Sequence, residues 1–179
     1  MTAITIGYAA TNRGSLELTT YTYVNGGSNG LADGTGTITD VEIYFVTDFD
    51  GADVKVGTWG EITVNSIYDN RDYATLGAVT SGSMQTFSGL SIDVVTGDSI
   101  GAYFSSGRIE AAASALGTVV YSADSTDYFD YGTHTFDGYS AGHGMSLHGI
   151  GTTAVGWANI AKVNGVAVAA IAKVNGVAV

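Results

Sequence analysis

Short stretches in which apolar and polar residues alternate recur along the first 122 residues. In each stretch, β-branched and aromatic residues recur at every second position, which is typical of a strand with one buried face. Gly, Asn, Asp and Ser separate the stretches, and these residues favour turns. The pattern predicts eight strands: Ala3–Tyr8, Ser15–Val24, Gly36–Val46, Ala52–Trp59, Glu61–Tyr68, Thr86–Val94, Ser99–Phe104 and Gly117–Ser122.

The number and spacing of these strands predict the fold class. Many short strands without a long helical segment are typical of an all-β protein, here an antiparallel, jelly-roll-like β-sandwich. A parallel β-helix is the alternative, but this part of the chain lacks the regular repeat of that fold. Only Ile109–Leu116 has helical propensity, and eight residues predict no more than a helical turn.

The end of the chain is a repeat with a period of 11. Residues 160–168 and 171–179 both have the sequence Ile-Ala-Lys-Val-Asn-Gly-Val-Ala-Val. Asn-Gly between alternating apolar residues is a strong hairpin signal, because a type I′ turn needs positive φ at both central positions. A continuous helix is disfavoured by the β-branched residues and by Asn-Gly. We therefore divide the chain into a β-sandwich domain (1–156) and a C-terminal β-hairpin repeat tail (157–179), with tail strands predicted at Ile160–Val163, Val166–Val174 and Val177–Val179.

Such a tail cannot bury its own valines, because an isolated hairpin is marginally stable. It either covers an edge of its own sandwich or pairs with another copy of the chain. The second alternative is slightly favoured, since the chain has no proline and few charges to protect the tail strands from pairing. The sequence thus predicts a homo-oligomer joined by β-augmentation. The candidate assembly residues are Trp157, Ile160, Val163, Val166, Val168, Ile171, Val174 and Val177.

The tail also carries a resemblance to known proteins. It resembles the Ile-Ala-Lys-Val-Asn-Gly-Val-Ala repeats that close many uncharacterised phage and metagenomic β-sandwich proteins. Gly36–Phe45 and Val95–Phe104 are similar to strands that precede such tails. The resemblance implies a sandwich fold and a virion or extracellular setting, and it assigns no activity to individual residues. The N-terminal residues lack the basic and apolar regions of a secretory signal, so we expect no signal peptide in this chain.

Composition and charge argue against several classes of function. The chain has no cysteine, which excludes disulfides, thiol nucleophiles and cysteine-ligated metals. Six basic and 17 acidic residues give a net charge of −11, which repels nucleic acids and anionic membranes. No apolar stretch is long enough to predict a membrane span. The charge is uneven: four basic and all 17 acidic residues precede position 157, for −13, whereas the tail carries +2.

One acidic turn is a candidate metal site. Asp48, Asp50 and Asp53 flank Gly51, and calcium prefers such carboxylate oxygens on a tight turn. The spacing is not that of an EF-hand, so a polar hairpin turn is the simpler interpretation. No cofactor is predicted, although the sequence leaves calcium open.

Residues 121–139 form the most aromatic part of the chain and contain several carboxylates. Apolar ring faces beside hydrogen-bonding oxygens are the chemistry that a sugar requires. The alternative is an ordered loop whose tyrosines bury their rings. The candidate residues for binding a cell-surface glycan are Asp127, Tyr128, Asp130, Tyr131 and Tyr139.

No catalytic motif is present in the sequence. His134, His143 and His148 lie within 15 residues, but the last two are five apart and would face opposite sides of a regular strand. A nucleophile elbow and a phosphate loop are also missing. We therefore expect no enzyme, but a self-assembling structural subunit of a virion appendage or extracellular filament. The alternative is a carbohydrate-binding module resembling a phage receptor-binding domain.

Overall fold

The computed structural model describes residues 2–14, 16–112 and 116–153, and four two-residue strands in the tail. All regular secondary structure in these residues is β-strand. The described residues contain no helix long and apolar enough to cross a membrane. The strands before the tail are β1 (Ala3–Gly7), β2 (Leu16–Leu18), β3 (Tyr23–Gly26), β4 (Gly36–Tyr44), β5 (Gly51–Thr63), β6 (Ile67–Val79), β7 (Met84–Val94), β8 (Ser99–Tyr103), β9 (Ile109–Ala112), β10 (Thr118–Tyr121), β11 (Thr133–Thr135), β12 (Gly138–Ala141), β13 (Gly144–Met145) and β14 (Leu147–Thr153).

Two large antiparallel sheets form the body of the protein. One has four strands in the order β1-β14-β4-β7, and the other has seven in the order β11-β6-β5-β8-β3-β10-β12. A small third sheet has the order β13-β9-β2. Every strand pair in the described residues is antiparallel, so the prediction of an all-β sandwich is confirmed and the parallel β-helix is excluded.

The main core lies between the two large sheets. Ile38, Val41 and Ile43 of β4 are buried there with Val54 and Val56 of β5, as the alternation of apolar residues predicts. Completely burying one such side chain contributes about 1.5–3 kcal/mol. The apolar faces of the sheets therefore account for the packing of the sandwich.

A second, smaller core covers the opposite face of the seven-stranded sheet. Trp59 and Tyr68 point to this side and are fully buried. Phe129 and Phe136 pack on them, and the Trp59 ring centroid lies 5.2 Å from Phe129 and 5.5 Å from Phe136. Segment 122–137 is thus packed against the sheet by its phenylalanines.

Several strand boundaries differ from the prediction: β6 extends to Val79, and strands β9 and β11–β14 lie outside the predicted strands. Strand β5 continues through Gly60, which pairs with Asp69 of β6, so the predicted break there is wrong. The chain instead turns at 64–66, where Asn65 has a φ of 53°. The predicted strand Ser15–Val24 is divided into β2 and β3.

The predicted helical turn at Ile109–Leu116 is also wrong for its first half, because Ile109–Ala112 is strand β9. This strand pairs with β2 on one side and β13 on the other. The backbone hydrogen bonds of these two pairings outweigh the weak helical propensity of a short segment.

In the tail, the structure describes two short antiparallel pairs. Strand β15 (Lys162–Val163) pairs with β16 (Val166–Ala167), and β17 (Lys173–Val174) pairs with β18 (Val177–Ala178). The two residues between the partners are Asn-Gly in both copies, as the hairpin interpretation requires. Trp157, Ile160, Val168 and Ile171 lie outside the described residues.

Candidate functional site

The outer edge of β1 is closed by the chain itself. The backbone N–H of Thr5 donates to Asp33 Oδ1 at 2.8 Å, and the N–H of Asp33 donates to the Thr5 carbonyl at 3.2 Å. The Thr5 hydroxyl donates to Asp33 Oδ2, and the Gly7 N–H donates to the Gly30 carbonyl. These bonds, first that from the Thr5 backbone, lower the pKa of Asp33. An added strand would have to displace these bonds, so β1 is a poor acceptor.

The opposite edge of the same sheet is formed by β7. The hydrogen bonds of β4 show which backbone N–H and C=O groups of β7 point toward β4 and which point away from the sheet. The Tyr44 N–H donates to the Ser146 carbonyl on the β14 side of β4. Because backbone groups alternate along a strand, Ile43 and Val41 bond toward β7. Their partners are Gln85 and Phe87, so the residues between these partners direct their backbone groups away from the sheet.

The outward-facing residues of β7 are Met84, Thr86 and Ser88, and all three are exposed. Within the described residues, the backbone N–H and C=O groups of Thr86 and Ser88 make no hydrogen bond. The Met84 carbonyl accepts only a 3.4 Å bond from the side chain of Gln85. Charged residues and proline commonly protect an exposed edge from pairing. Residues 84–91 contain neither. We call Met84–Ser88 the open edge.

The open edge ends before the far end of β7. There the Asp93 N–H donates to Asp72 Oδ2 at 2.8 Å, and the Asp93 carbonyl accepts from the Thr58 hydroxyl at 2.6 Å. Both partners come from the seven-stranded sheet, so at this end the two sheets are joined. The sequence predicted β7 as a strand but contains no local signal that it lies at an edge, since edge position depends on the packing of the whole chain.

None of the tail strands that the structure describes is paired with a strand of the body. Val163 pairs with Val166 and Val174 with Val177, each within its own hairpin. The first alternative from the sequence, a tail that covers an edge of its own sandwich, has no counterpart in these pairings. Among the described strands, the tail hairpins therefore have no partner strand in the body, and the open edge has no partner strand on its outer side.

The two carboxylates predicted to bind a glycan have partners within the chain. Lys55 Nζ lies 2.6 Å from Asp127 Oδ2 and 3.1 Å from Asp130 Oδ2, and the Tyr73 hydroxyl donates to Asp130. Hydrogen bonds from Tyr73 and then from Lys55 lower the pKa of Asp130. Partial burial opposes the charge of Lys55, but its bonds to Asp127 and Asp130 outweigh this and raise its pKa. These contacts fasten the loop to β5 and β6.

The predicted aromatic residues differ in how exposed they are. The Tyr128 ring stacks on His134 with centroids 3.5 Å apart, and its hydroxyl contacts Asp124. Burial lowers the pKa of His134, which favours the neutral imidazole in this stack. Tyr131 lies edge-on to Tyr128 at 5.3 Å and is 65% exposed. The side chain of Tyr139 is outside what the structure describes, so Tyr131 offers the most accessible of the described rings.

The candidate calcium ligands are not brought together. Asp50 Oδ1 accepts the backbone N–H of Ser81, and Asp53 Oδ2 accepts the hydroxyl of Ser105. Asp48 and Asp53 have positive φ values of 69° and 50°, as residues in tight turns often do. No group of three or more His, Cys, Asp or Glu side chains in the described residues is arranged to hold a metal ion. Asp48 and Asp50 lie in the turn that leads from β4 to β5. Because β4 and β5 lie in different sheets, this turn connects the two sheets, and the hairpin interpretation is wrong.

The three histidines have different surroundings. His148 Nδ1 lies 3.2 Å from Glu42 Oε2 across the β14–β4 pair. His134 Nε2 and His143 Nδ1 are buried and have no hydrogen-bond partner among the described residues. Of the three histidines, only His148 therefore has a ring nitrogen bonded to a side chain among the described residues.

Comparison with known proteins adds no relative. No family model, curated protein or solved structure matches the chain. The resemblance of the tail to phage and metagenomic repeats stays a prediction.

Proposed function

We propose that this protein is a self-assembling structural subunit of a virion appendage or extracellular filament, joined by strand addition through its tail. In this proposal, the tail of one copy adds to the open edge, Met84–Ser88, of the next copy. The observation that carries the proposal is the coexistence, in the described part of the chain, of tail strands that pair with no body strand and an edge at which the backbone groups of Thr86 and Ser88 are unpaired. Main-chain hydrogen bonds would supply affinity, and alternate apolar side chains would set the register.

Charge supports the pairing of tail and body. The tail carries Lys162 and Lys173 and no acidic residue, whereas residues 1–156 have a net charge of −13. The opposite charges of tail and body steer their association, whereas the like charges of two bodies disfavour contacts between them. Tail-to-body contacts are therefore favoured over body-to-body contacts.

The symmetry of such an assembly follows from the two different surfaces involved. A donor tail and an acceptor edge make a heterologous contact, which closes into a ring or continues as a fibre. The tail resemblance and the absence of cysteine suit an exposed location such as a virion or the extracellular space. The location on a virion or in the extracellular space is therefore proposed together with the assembly.

The experiment that tests this function compares the full chain with a variant lacking Trp157–Val179. Negative-stain electron microscopy and light scattering would be done at matched concentration. We expect rings or filaments from the full chain and monomers from the truncated one, with unchanged melting temperature. Monomers from both, or equal assemblies from both, would show that the tail is not the donor.

Carbohydrate binding is the second candidate function. The observation that favours it is the exposed ring of Tyr131 beside Tyr128 and Asp124, since an exposed aromatic face can stack on a sugar. A glycan array probed with the wild type and with Tyr131→Ala tests it. Binding that the substitution does not reduce would remove this surface from consideration.

A further inference from the structure

A cleft with a volume of about 270 Å³ opens at the margin of the main core, where β3, β10 and β12 approach β2. It lies on the inner face of the seven-stranded sheet, whereas segment 122–137 covers the outer face. Its position separates it from Tyr131 and from the open edge. The lining side chains are Leu18, Tyr21, Tyr23, Tyr121, Ser140 and His143.

Three tyrosine rings form the wall of this cleft. Tyr23 and Tyr121 pair across β3 and β10, and their ring centroids are 6.0 Å apart. Tyr21 lies 6.0 Å from Tyr23 and 6.3 Å from Tyr121. Tyr23 is buried and stacks on Phe104 in the core. The ring cluster is therefore supported by the core, while Tyr21 and Tyr121 stay partly exposed to the cleft.

The described polar groups around the cleft are hydroxyls and one imidazole. Burial raises the pKa of Tyr23 to about 12, so this group is neutral at pH 7. The hydroxyls of Tyr21 and Tyr121 make no hydrogen bond within the described residues. Among the residues whose side chains the structure describes, no Asp, Glu, Lys or Arg lines the cleft. Aromatic faces, hydroxyls and one imidazole thus surround one small space.

We infer that this cleft binds a single neutral pyranose ring. A sugar presents an apolar face to aromatic rings and hydroxyls to polar groups, and five of the six lining residues carry such groups. The volume is just below the range of about 300–1,000 Å³ that is usual for drug-sized ligands, which fits one ring.

Other ligand classes fit the lining less well. A hydrocarbon would leave the hydroxyls of Tyr21 and Tyr121 without partners, which is costly in a desolvated site. A phosphate-bearing ligand would be repelled by the net charge of −11 and would find no Lys or Arg among the described lining residues. A quaternary ammonium ion would suit the rings but would meet no carboxylate among the described lining residues.

This inference shares a ligand class with the second candidate function but rests on different residues, and it does not depend on assembly. The test is saturation-transfer NMR of the full chain with methyl glycosides of glucose, galactose, mannose and N-acetylglucosamine. We expect saturation transfer from the wild type to at least one of them. Removing a stacking ring by Tyr21→Ala is expected to raise its Kd about tenfold or more.

Tyr131→Ala is the matched control, because it removes an exposed ring on the other face of the sheet. Tyr131→Ala is expected to leave this Kd unchanged. A loss of glycan-array binding in this variant would concern only the second candidate function. Tyr21→Phe, which keeps the ring, gives a variant of lower folding risk and should retain most of the binding. The inference is overturned if no glycoside receives saturation, if Tyr21→Ala binds as well as the wild type, or if tetramethylammonium binds where the glycosides do not.

Discussion

The guanidinium of Arg71 meets both carboxylate oxygens of Asp98, with Nε 2.5 Å from Oδ2 and Nη2 2.9 Å from Oδ1. The Asp98 side chain is 4% exposed and that of Arg71 is 37% exposed. Asp98 also accepts the backbone N–H of Val95. The pair therefore ties strand β6 to the turn between β7 and β8, next to the main core.

Arg71→Met is expected to lower the free energy of unfolding by about 2 kcal/mol, because it leaves a buried carboxylate without its cation. The value lies below that of a fully buried pair, since Arg71 is partly exposed and its charge is screened. Urea unfolding at pH 7 measures it. Arg71→Lys keeps the charge but loses the two-pronged geometry, so it should fall between the wild type and Arg71→Met. A wild-type midpoint for Arg71→Met would contradict the argument.

The contact between Phe129 and Trp59 predicts how segment 122–137 is held. Phe129 is buried against Trp59, so Phe129→Ala is expected to cost about 3–5 kcal/mol. Trp59 fluorescence should also shift to the red as water reaches the indole. The measurement uses a Trp157→Phe background, in which Trp59 is the only tryptophan.

Tyr131→Ala in the same background is the control, because an exposed side chain typically changes stability by no more than about 0.5 kcal/mol. Equal unfolding midpoints for the two variants would mean that the phenylalanine does not anchor the segment.

The strand content could be predicted from the sequence because alternation is a local property. Gly36–Val46 and Thr86–Val94 were placed to within about two residues of β4 and β7. The break predicted at Gly60 failed because glycine is a turn signal only where the backbone is not already paired, and here it pairs with Asp69. Local chemistry thus predicts elements better than it predicts their ends.

The candidate sites depended on contacts between distant parts of the chain. The sequence predicts Asp127 and Asp130 as glycan ligands because they lie among aromatic residues. Nothing in the sequence reveals that Lys55 lies beside them and binds both carboxylates. Tyr21 and Tyr121 are one hundred residues apart and meet only because β3 pairs with β10. Sequence reasoning therefore identified suitable residue types and missed their partners.

The bonds between Asp33 and Thr5 predict a pH dependence. They favour the charged carboxylate and lower the pKa of Asp33 below its ordinary value of about 3.9. A carboxyl whose pKa is lower in the folded state stabilises the fold above its unfolded pKa, and this contribution is lost as the pH falls through the folded pKa. The wild type should therefore be more stable than Asp33→Asn at pH 7, and the difference should shrink below about pH 4.

Urea unfolding of both proteins between pH 7 and pH 2.5 tests this dependence. Comparing two proteins that differ at one carboxyl cancels the titration of the other acidic residues. A difference that stays constant over the whole range would show that the charge of Asp33 does not stabilise the edge of β1.

The unpaired N–H of Thr86 allows the open edge to be tested without removing the tail. Thr86→Pro deletes a donor that faces away from β4, and proline is tolerated in an edge strand where its nitrogen faces outward. We expect a melting temperature close to that of the wild type and loss of the assemblies that the proposal predicts for the full chain in electron microscopy. Phe87→Pro is the matched control in position, because its N–H bonds to Val41 of β4. This control should destabilise the fold by about 3 kcal/mol or more. If Thr86→Pro assembles like the wild type while the tail deletion does not, the tail is the donor but the open edge of β7 is not its acceptor.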